Sequence, residues 1–566
     1  MTEMTKEALA ADVQATRERL HEAPRQWWRD AVIYEVYVRS FRDTNQDGIG
    51  DLAGVLEKLD YIADLGADAV WLSPFYPSPQ QDFGYDVTDL TGVDPRHGTL
   101  ADFTDLVRAA HDRELRVLVD FIAPHTSDEH PWFQESRASR DGPRADWYVW
   151  ADPAPDGLPP NNWLSSFGGP AWTWEPRRNQ YYYHPFLECQ PALDLENPAV
   201  REAIAEAMRF WFDLGADGMR LDAAQTLGHD RALRSNPPAA EPGGGAPIGG
   251  GPGNPFARQM HLFDRDTPEA IETLQWLRGV ADEYDDPPRV LIGELADMDS
   301  ARLAEKYTAR GDALHAVYDF EMIQVPPDVP MIVDLLRRRE QHLPTGWRLT
   351  AFGNHDAQRA VSNMFPEASA RGKQREAAKL LLFVLFCLRG GSVLYQGEEL
   401  GLPHVEVGFE DIRDPWGKNL WPDFPGRDGS RTPMPWQRDA DHLGFCDDCT
   451  PWLPPAPEHG PLAVDAQTDD PNSPLRFTQA FLEWRKRSPA LRWGDQRVEE
   501  ASRDELILWH RWSGEEALLL AANFGLTACE LKIEGGGQPI AAPGCVTHHA
   551  EGRMELPPLG FAVIRH

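Results

Sequence analysis

Eight short β-branched or apolar runs, set between stretches of helical periodicity, constrain this chain's fold more than any other feature. They are Val32–Arg39, Ala69–Ser73, Arg116–Phe121, Gly218–Asp222, Val290–Glu294, Ala316–Phe320, Leu349–Phe352 and Ser392–Tyr395. Ala53–Leu65, Ala199–Leu214, Pro268–Glu283 and Arg375–Leu388 repeat apolar residues at helical spacing. Strand alternating with helix eight times predicts an α/β fold, a parallel sheet closed into a (β/α)8 TIM barrel.

Two connections exceed a simple loop. Residues 124–195 follow the third strand and carry NNWLSSFGGPAWTW and QYYYHPF, which reads as an inserted subdomain. Residues 225–262 follow the fourth strand and contain EPGGGAPIGGGPGNP, a flexible segment that is either a surface excursion or a wall of a substrate pocket. Beyond Trp493 the pattern changes to short strands, Leu506–Trp512, Ala517–Asn523 and Ala562–Arg565. The expected division is a barrel from 1–123 and 196–492, an insert at 124–195 and an antiparallel β domain at 493–566.

Composition narrows the partners. With 55 basic and 90 acidic residues the net charge is −35, which repels phosphate backbones and anionic lipid. Nucleic acid and membrane are therefore not expected partners, whereas a small neutral substrate meets no electrostatic penalty. The acidity itself needs no more explanation than solubility. The first residues, MTEMTKEALAADVQATRERL, are charged and helical in pattern rather than a secretion signal. The most apolar run, Leu380–Leu388, is far shorter than the ~20 residues that span a bilayer and reads as a buried helix. A cytoplasmic protein, monomeric or dimeric, is expected. Of six cysteines, Cys446 and Cys449 form one C-x-x-C, too little by itself to mark zinc and read as a buried or incidental thiol pair. The 20 tryptophans suit stacking on sugar rings, although most aromatics simply fill cores.

In a barrel, chemistry belongs at the C-terminal ends of the strands. The third strand ends in Asp120 and continues to Pro124-His125; the fourth ends in Arg220-Leu-Asp222; the fifth ends in Glu294; the seventh runs into His355-Asp356. Asp222, Glu294 and Asp356 thus converge on one mouth, which is hard to explain as solvated charge. Glycoside cleavage needs such a set: one carboxyl to protonate the departing oxygen, another to attack the anomeric carbon or activate water. Arg220, two residues before Asp222, points to the same side of its strand and favours the ionised nucleophile. An internal Arg–Asp ion pair is the structural alternative.

The segments GADGMRLDAA, LIGELADM and FGNHDAQR resemble the conserved regions of glycoside hydrolase family 13, the α-amylase family. The similarity runs from QWWRDAVIYEVYVRSF to RTPMPW and is nearest the α-glucosidase and oligo-1,6-glucosidase branch. It implies Asp222 as nucleophile, Glu294 as general acid/base and Asp356 as the carboxylate that holds the distorted ring. It also implies that His125, Arg220 and His355 line the same subsite. Asp82 would hold the terminal 4- and 6-hydroxyls, Tyr85 would stack on the ring, and Arg427 would close the blind end with Asp82, giving exo attack. One departure is Pro124, where the family commonly has Asn; the loop around His125 must then be supported differently.

Asp43-Thr-Asn45-Gln-Asp47-Gly-Ile49-Gly-Asp51 places oxygen donors at alternate positions around Gly48. Side chains of Asp43, Asn45, Asp47 and Asp51 with the Ile49 carbonyl suit Ca²⁺; Mg²⁺ or a metal-free Asx-rich turn are the alternatives. Gly54 stands where an EF-hand would carry Glu, so this is a lone loop with a structural role. By family analogy, Ala223 after the nucleophile and QPALD at Gln190–Asp194 favour α-1,4 bonds in maltose or short oligosaccharides, with sucrose as another substrate. A transferase or isomerase of the family (sucrose isomerase, trehalose synthase, amylosucrase) would share every catalytic residue. A non-catalytic transporter-associated relative would have lost the carboxylates.

Overall fold

The computed structural model describes residues 26–239, 254–296, 300–343, 345–368, 370–499, 505–514, 516–533 and 537–565. The N-terminal helical pattern and most of the Gly/Pro run lie outside these residues.

The strands are β1 (Val32–Val36), β2 (Ala69–Leu72), β3 (Arg116–Phe121), β4 (Trp150–Ala151), β5 (Trp172–Glu175), β6 (Gln180–Tyr183), β7 (Gly218–Leu221), β8 (Val290–Leu295), β9 (Ala316–Asp319), β10 (Arg348–Thr350) and β11 (Gly391–Tyr395). Eight of them, in the order β1-β2-β3-β7-β8-β9-β10-β11, form a closed parallel barrel, with Val32 opposite Ser392 where first meets last. Period two sorts each strand's side chains. On β3, Val117, Val119 and Phe121 pack outward against the helices, while Leu118 joins the inner core with Trp71, Ile292 and Tyr318. Asp120 therefore points inward, as do Arg220 on β7 and Glu294 on β8 by the same alternation. The register sets Asp120 beside Arg220 and Leu221 beside Gly293.

The first strand is shorter than its sequence suggests. It stops at Val36 and Val38–Ser40 form a 3-10 turn. There side chains replace the ladder: Tyr37 N–H donates to Gln396 Oε1 at 2.8 Å and Val38 N–H to Ser73 Oγ at 3.0 Å.

The excursion after β3 carries its own three-stranded sheet, β4-β6-β5. It is tied back to the barrel mouth by the bridges His125↔Ala192 and Tyr148↔Leu193. Trp163, Trp172 and Tyr183 fill its small core. The segment after β7 docks on this insert: Asn162 Nδ2 donates to Asn236 O, Asn254 Nδ2 to Ser166 O and Gln259 Nε2 to Asn162 O. Its described flanks are thus part of the mouth.

β12 (Asp495–Val498), β13 (Leu506–Ser513), β14 (Glu516–Asn523), β15 (Cys529–Lys532), β16 (Gln538–Pro539), β17 (Arg553–Leu556) and β18 (Phe561–Arg565) complete the chain. They build a five-stranded antiparallel sheet and a separate β15–β17 pair. The buried helix Gln374–Cys387 joins this unit to the barrel, with Phe383 stacked on Phe561 and Cys387 O accepting from Arg511. Among the described residues no helix is long and apolar enough to cross a membrane.

Candidate active site

One guanidinium organises the barrel mouth. Arg220 Nη1 donates to Asp222 Oδ1 at 2.7 Å and to Asp120 Oδ1 at 2.8 Å, and its Nη2 lies 2.8 Å from Glu294 Oε2. All four groups are buried. Ala223, next after the nucleophile candidate, has φ 44°, a left-handed conformation that a non-glycine residue adopts at a cost of roughly 1–3 kcal/mol. The reversal directs its N–H at Glu294 Oε2, 2.9 Å away. The strained turn thus ties Glu294 to the residue that follows Asp222.

Burial pushes both Asp222 and Glu294 up to about 7, with Arg220 opposing it. Two buried carboxyls this close share one proton near neutrality. The Arg220 guanidinium faces both carboxyls, so the one negative charge and the one proton belong to the pair.

Asp356 stands apart electrostatically. Burial works against its ionisation, but the Arg427 and Arg431 guanidiniums outweigh it and hold the carboxyl well below the usual range. Its Oδ1 accepts from Arg431 Nη2 at 2.6 Å and from Arg427 Nη1 at 3.1 Å. Arg427 also reaches Asp82 Oδ1 through Nη2 at 2.8 Å and grips Asp414 through Nε and Nη2. One buried arginine therefore ties loops after β2, β10 and β11 into a closed floor. Gln190 Nε2 donates to the other oxygen of Asp82 at 3.1 Å.

Tyr85 and His355 stack, rings 5.7 Å apart and 8° from parallel, with Tyr85 Oη 2.7 Å from His355 Nε2. His125 Nε2 bonds Tyr85 O at 3.0 Å, and burial pushes the imidazole down to about 4, so it is neutral. The loop that Pro124 leaves without an amide is pinned by backbone instead: Leu193 N–H donates to Pro124 O at 3.0 Å.

All nine sequence-derived catalytic and substrate residues meet here. Asp82, Tyr85, His125, Asp222, Glu294, Asp356 and Arg427 line one pocket of about 750 Å³ including its open mouth. Arg220 and His355 lie directly beneath. Sequence reasoning missed Glu35, Asp414 and Arg431, which hold those residues, and the walls Phe167 and Trp416, stacked 4.8 Å apart. Glu35 is the one that strand alternation could have found, since it shares the inward face of β1 with Ile33.

The oxygen-rich loop lies elsewhere. Asp43 and Asp51 are buried, Asn45 and Asp47 exposed. Asp43 accepts from the N–H groups of Gln46 and Gly48, Asn45 from Asp47 and Asp47 from Ile49. Asp51 caps helix Leu52–Glu57 through Gly54 N–H. A Cβ on Gly48 (φ +90°) would lie 2.1 Å from Thr450 O, so glycine is obligatory there.

The alpha amylase catalytic-domain family model matches residues 35–494. A probable alpha-glucosidase of Rhizobium meliloti (strain 1021) is 45% identical over 551 residues, 96% of this chain and 98% of that protein. An oligo-1,6-glucosidase of Halalkalibacterium halodurans is 34% identical, covering 88% and 90%. The crystal structure of an alpha-glucosyl transfer enzyme superposes with a TM-score of 0.90 at 45% identity, over 96% of this chain and 100% of that one.

Proposed function

This chain belongs to the α-amylase family, glycoside hydrolase family 13, and from that premise we propose that it is a retaining, exo-acting α-glucosidase. It releases terminal α-1,4-linked glucose from maltose and short oligosaccharides, and it also accepts sucrose.

The observation that carries the reading is the single guanidinium of Arg220 set against both Asp222 and Glu294. A shared arginine keeps the two carboxyls close, which suits the short separation of retaining enzymes rather than the longer one that admits water between them. Asp222 attacks the anomeric carbon with Oδ2, its Oδ1 being held by Arg220. Glu294 gives its proton to the departing oxygen. In the second step Glu294 takes a proton from water, which displaces Asp222 and restores the α configuration. Asp356, already ionised, binds ring hydroxyls and stabilises the developing positive charge. Arg427 and Asp82 close the pocket beyond one sugar, which supports exo action. Ala223, small and lining the pocket beside Glu294, supports the α-1,4 preference.

The glucosyl-enzyme can also be taken by a sugar. The similarity to a structure described as an alpha-glucosyl transfer enzyme supports transglucosylation as a second outcome of this site. Isomerase action on sucrose would use the same residues. The loop of Asp43, Asn45, Asp47, Ile49 and Asp51 offers only hard oxygen donors, three of them carboxylates, and fits Ca²⁺, with Mg²⁺ as the alternative. Its role would be structural.

Proton NMR of product formation from maltose, isomaltose, sucrose, trehalose and starch tests the reading. Initial α-glucose, fastest from maltose, is expected. Initial β-glucose from sucrose, in which the transferred unit is the sole glucose, would remove the retaining mechanism; rearranged disaccharides without free glucose would make it an isomerase.

A further inference from the structure

Cys446 and Cys449 are joined as a disulfide rather than standing as thiols. The structure adds a third group that the C-x-x-C spacing does not show. His442 and Leu443 both have left-handed backbone, φ 50° and 54°, and this reversal brings the imidazole back over the cysteines. A His442 ring nitrogen and both sulfur atoms lie within 4.8 Å of one another. Among the described residues this is the one cluster of three His, Cys, Asp or Glu ligand atoms so closely gathered.

We propose that, in the dithiol state, Cys446, Cys449 and His442 bind one Zn²⁺, with water in the fourth position. Tetrahedral zinc needs sulfur and nitrogen atoms roughly 3.5–3.8 Å apart, as Zn–S is about 2.3 Å and Zn–N about 2.0 Å. The imidazole nitrogen lies within 4.8 Å of both sulfurs, and reduction frees the two sulfurs to move apart to that spacing. Two thiolates and an imidazole select zinc over the hard cations that suit the nearby oxygen loop. Cys446 is buried while Cys449 and His442 are partly exposed, which leaves a route of entry. The frame is held from outside: Phe445 O accepts from Asp43 N–H, Gly444 O and Phe445 O from Arg42 Nη1, and Leu443 O from Trp436 and Gln437 N–H.

Disulfide and metal exclude each other. A dithiol reductant supplies two electrons and two protons to the disulfide and is itself oxidised to a disulfide. Zinc binding then displaces both thiol protons to solvent. The same turn is thus closed covalently in one state and by metal in the other. It continues to Trp452, which packs on Phe83 at 5.2 Å beside Asp82.

The test uses the full chain, reduced with excess dithiol, desalted without oxygen and titrated with Co²⁺. One equivalent is expected to produce thiolate-to-cobalt charge-transfer and tetrahedral visible bands, bleached by one equivalent of Zn²⁺. The oxygen loop gives neither band. Cys446→Ser/Cys449→Ser, which retains Cys189, Cys387, Cys529 and Cys545, should abolish the bands, and His442→Ala should weaken cobalt binding at least about tenfold. Absence of the bands when alkylation shows both thiols free, their persistence in the double variant, or unaltered affinity in His442→Ala would overturn the proposal.

Discussion

Glu35 Oε1 and His355 Nδ1 lie 2.5 Å apart, both wholly buried beneath the active-site floor, and the bond between them fixes the order of protons there. Tyr85 has one hydroxyl hydrogen, given to Asp120 Oδ2 at 3.0 Å, so it accepts from His355 Nε2. Burial pushes His355 down to about 3, so the ring is neutral and Nδ1 bears no proton. Glu35 must then donate, and burial holds its carboxyl well above the usual range. The donors run from Glu35 through His355 and Tyr85 to Asp120, which is paired with Arg220.

A glutamine at this position keeps a donor in place. Glu35→Gln should leave kcat/KM on p-nitrophenyl α-glucoside within about threefold, whereas Glu35→Ala should lower it ~10²-fold by releasing the ring. Equal losses in the two variants would mean that the proton runs the other way.

Under the proposed mechanism Asp222 supplies the attacking oxygen, and replacing it is more severe. Asp222→Asn should reduce kcat on the same substrate by at least about 10³-fold, ~4 kcal/mol of barrier. A near-normal rate would assign the nucleophile elsewhere.

Arg427→Lys tests the closed floor. A point charge cannot grip Asp82, Asp356 and Asp414 at once as the guanidinium fork does, so kcat/KM for maltose should fall ~10²-fold, about 2.7 kcal/mol. Release of maltose from maltotetraose by this variant would show that the floor enforces exo cleavage; unaltered kinetics would show the clasp to be idle.

How far these residues were legible follows from periodicity. Arg220 and Asp222 share a strand face at period two, so their pairing was readable, as was the alternation that builds the barrel. Asp414 and Arg427 are thirteen positions apart, on either side of the short helix Pro415–Leu420, with no repeat to relate them, and only folding brings them together. Phe167 and Trp416 come from the insert and the last barrel loop, so no local pattern predicts their stack. His442 was invisible because a left-handed turn, unfavourable for non-glycine residues, carries it back to the cysteines. The first strand ends before its sequence pattern does, because Tyr37 and Val38 continue the apolar run after side chains have replaced the ladder.

The pair Asp222 and Glu294 also sets the pH response. Both are raised to about 7 by burial, above the ordinary value near 4, so their contribution to stability is full below about pH 4 and lost as pH rises through 7. Glu294→Gln should therefore unfold at a higher temperature than the parent at pH 8, the gap closing near pH 4. Activity of the parent should follow a narrow bell near neutrality, limited below by protonation of Asp222 and above by ionisation of Glu294. Equal melting temperatures at pH 8 would contradict the raised carboxyls.

The Ca²⁺ proposed for the 43–51 loop should be visible as a linkage. Excess chelator should lower the melting temperature and Ca²⁺ restore it, by about 2.7 kcal/mol at a hundredfold excess over Kd. Asp47→Ala, at an exposed side chain, should remove the response with little other cost. A parent indifferent to chelator would mark the loop as a metal-free Asx turn.

The pairing of β1 with β11 has a consequence for biosynthesis. A ribosome must deliver the chain as far as Tyr395 before the barrel can shut, and until then the edges of β1 and of the growing sheet lie open to other chains. Asp414, Arg427 and Arg431 emerge later still. A translation product stopped between these points would hold all three acidic groups on a nearly whole scaffold yet have no floor beneath the sugar, so activity arrives late and almost at once during synthesis.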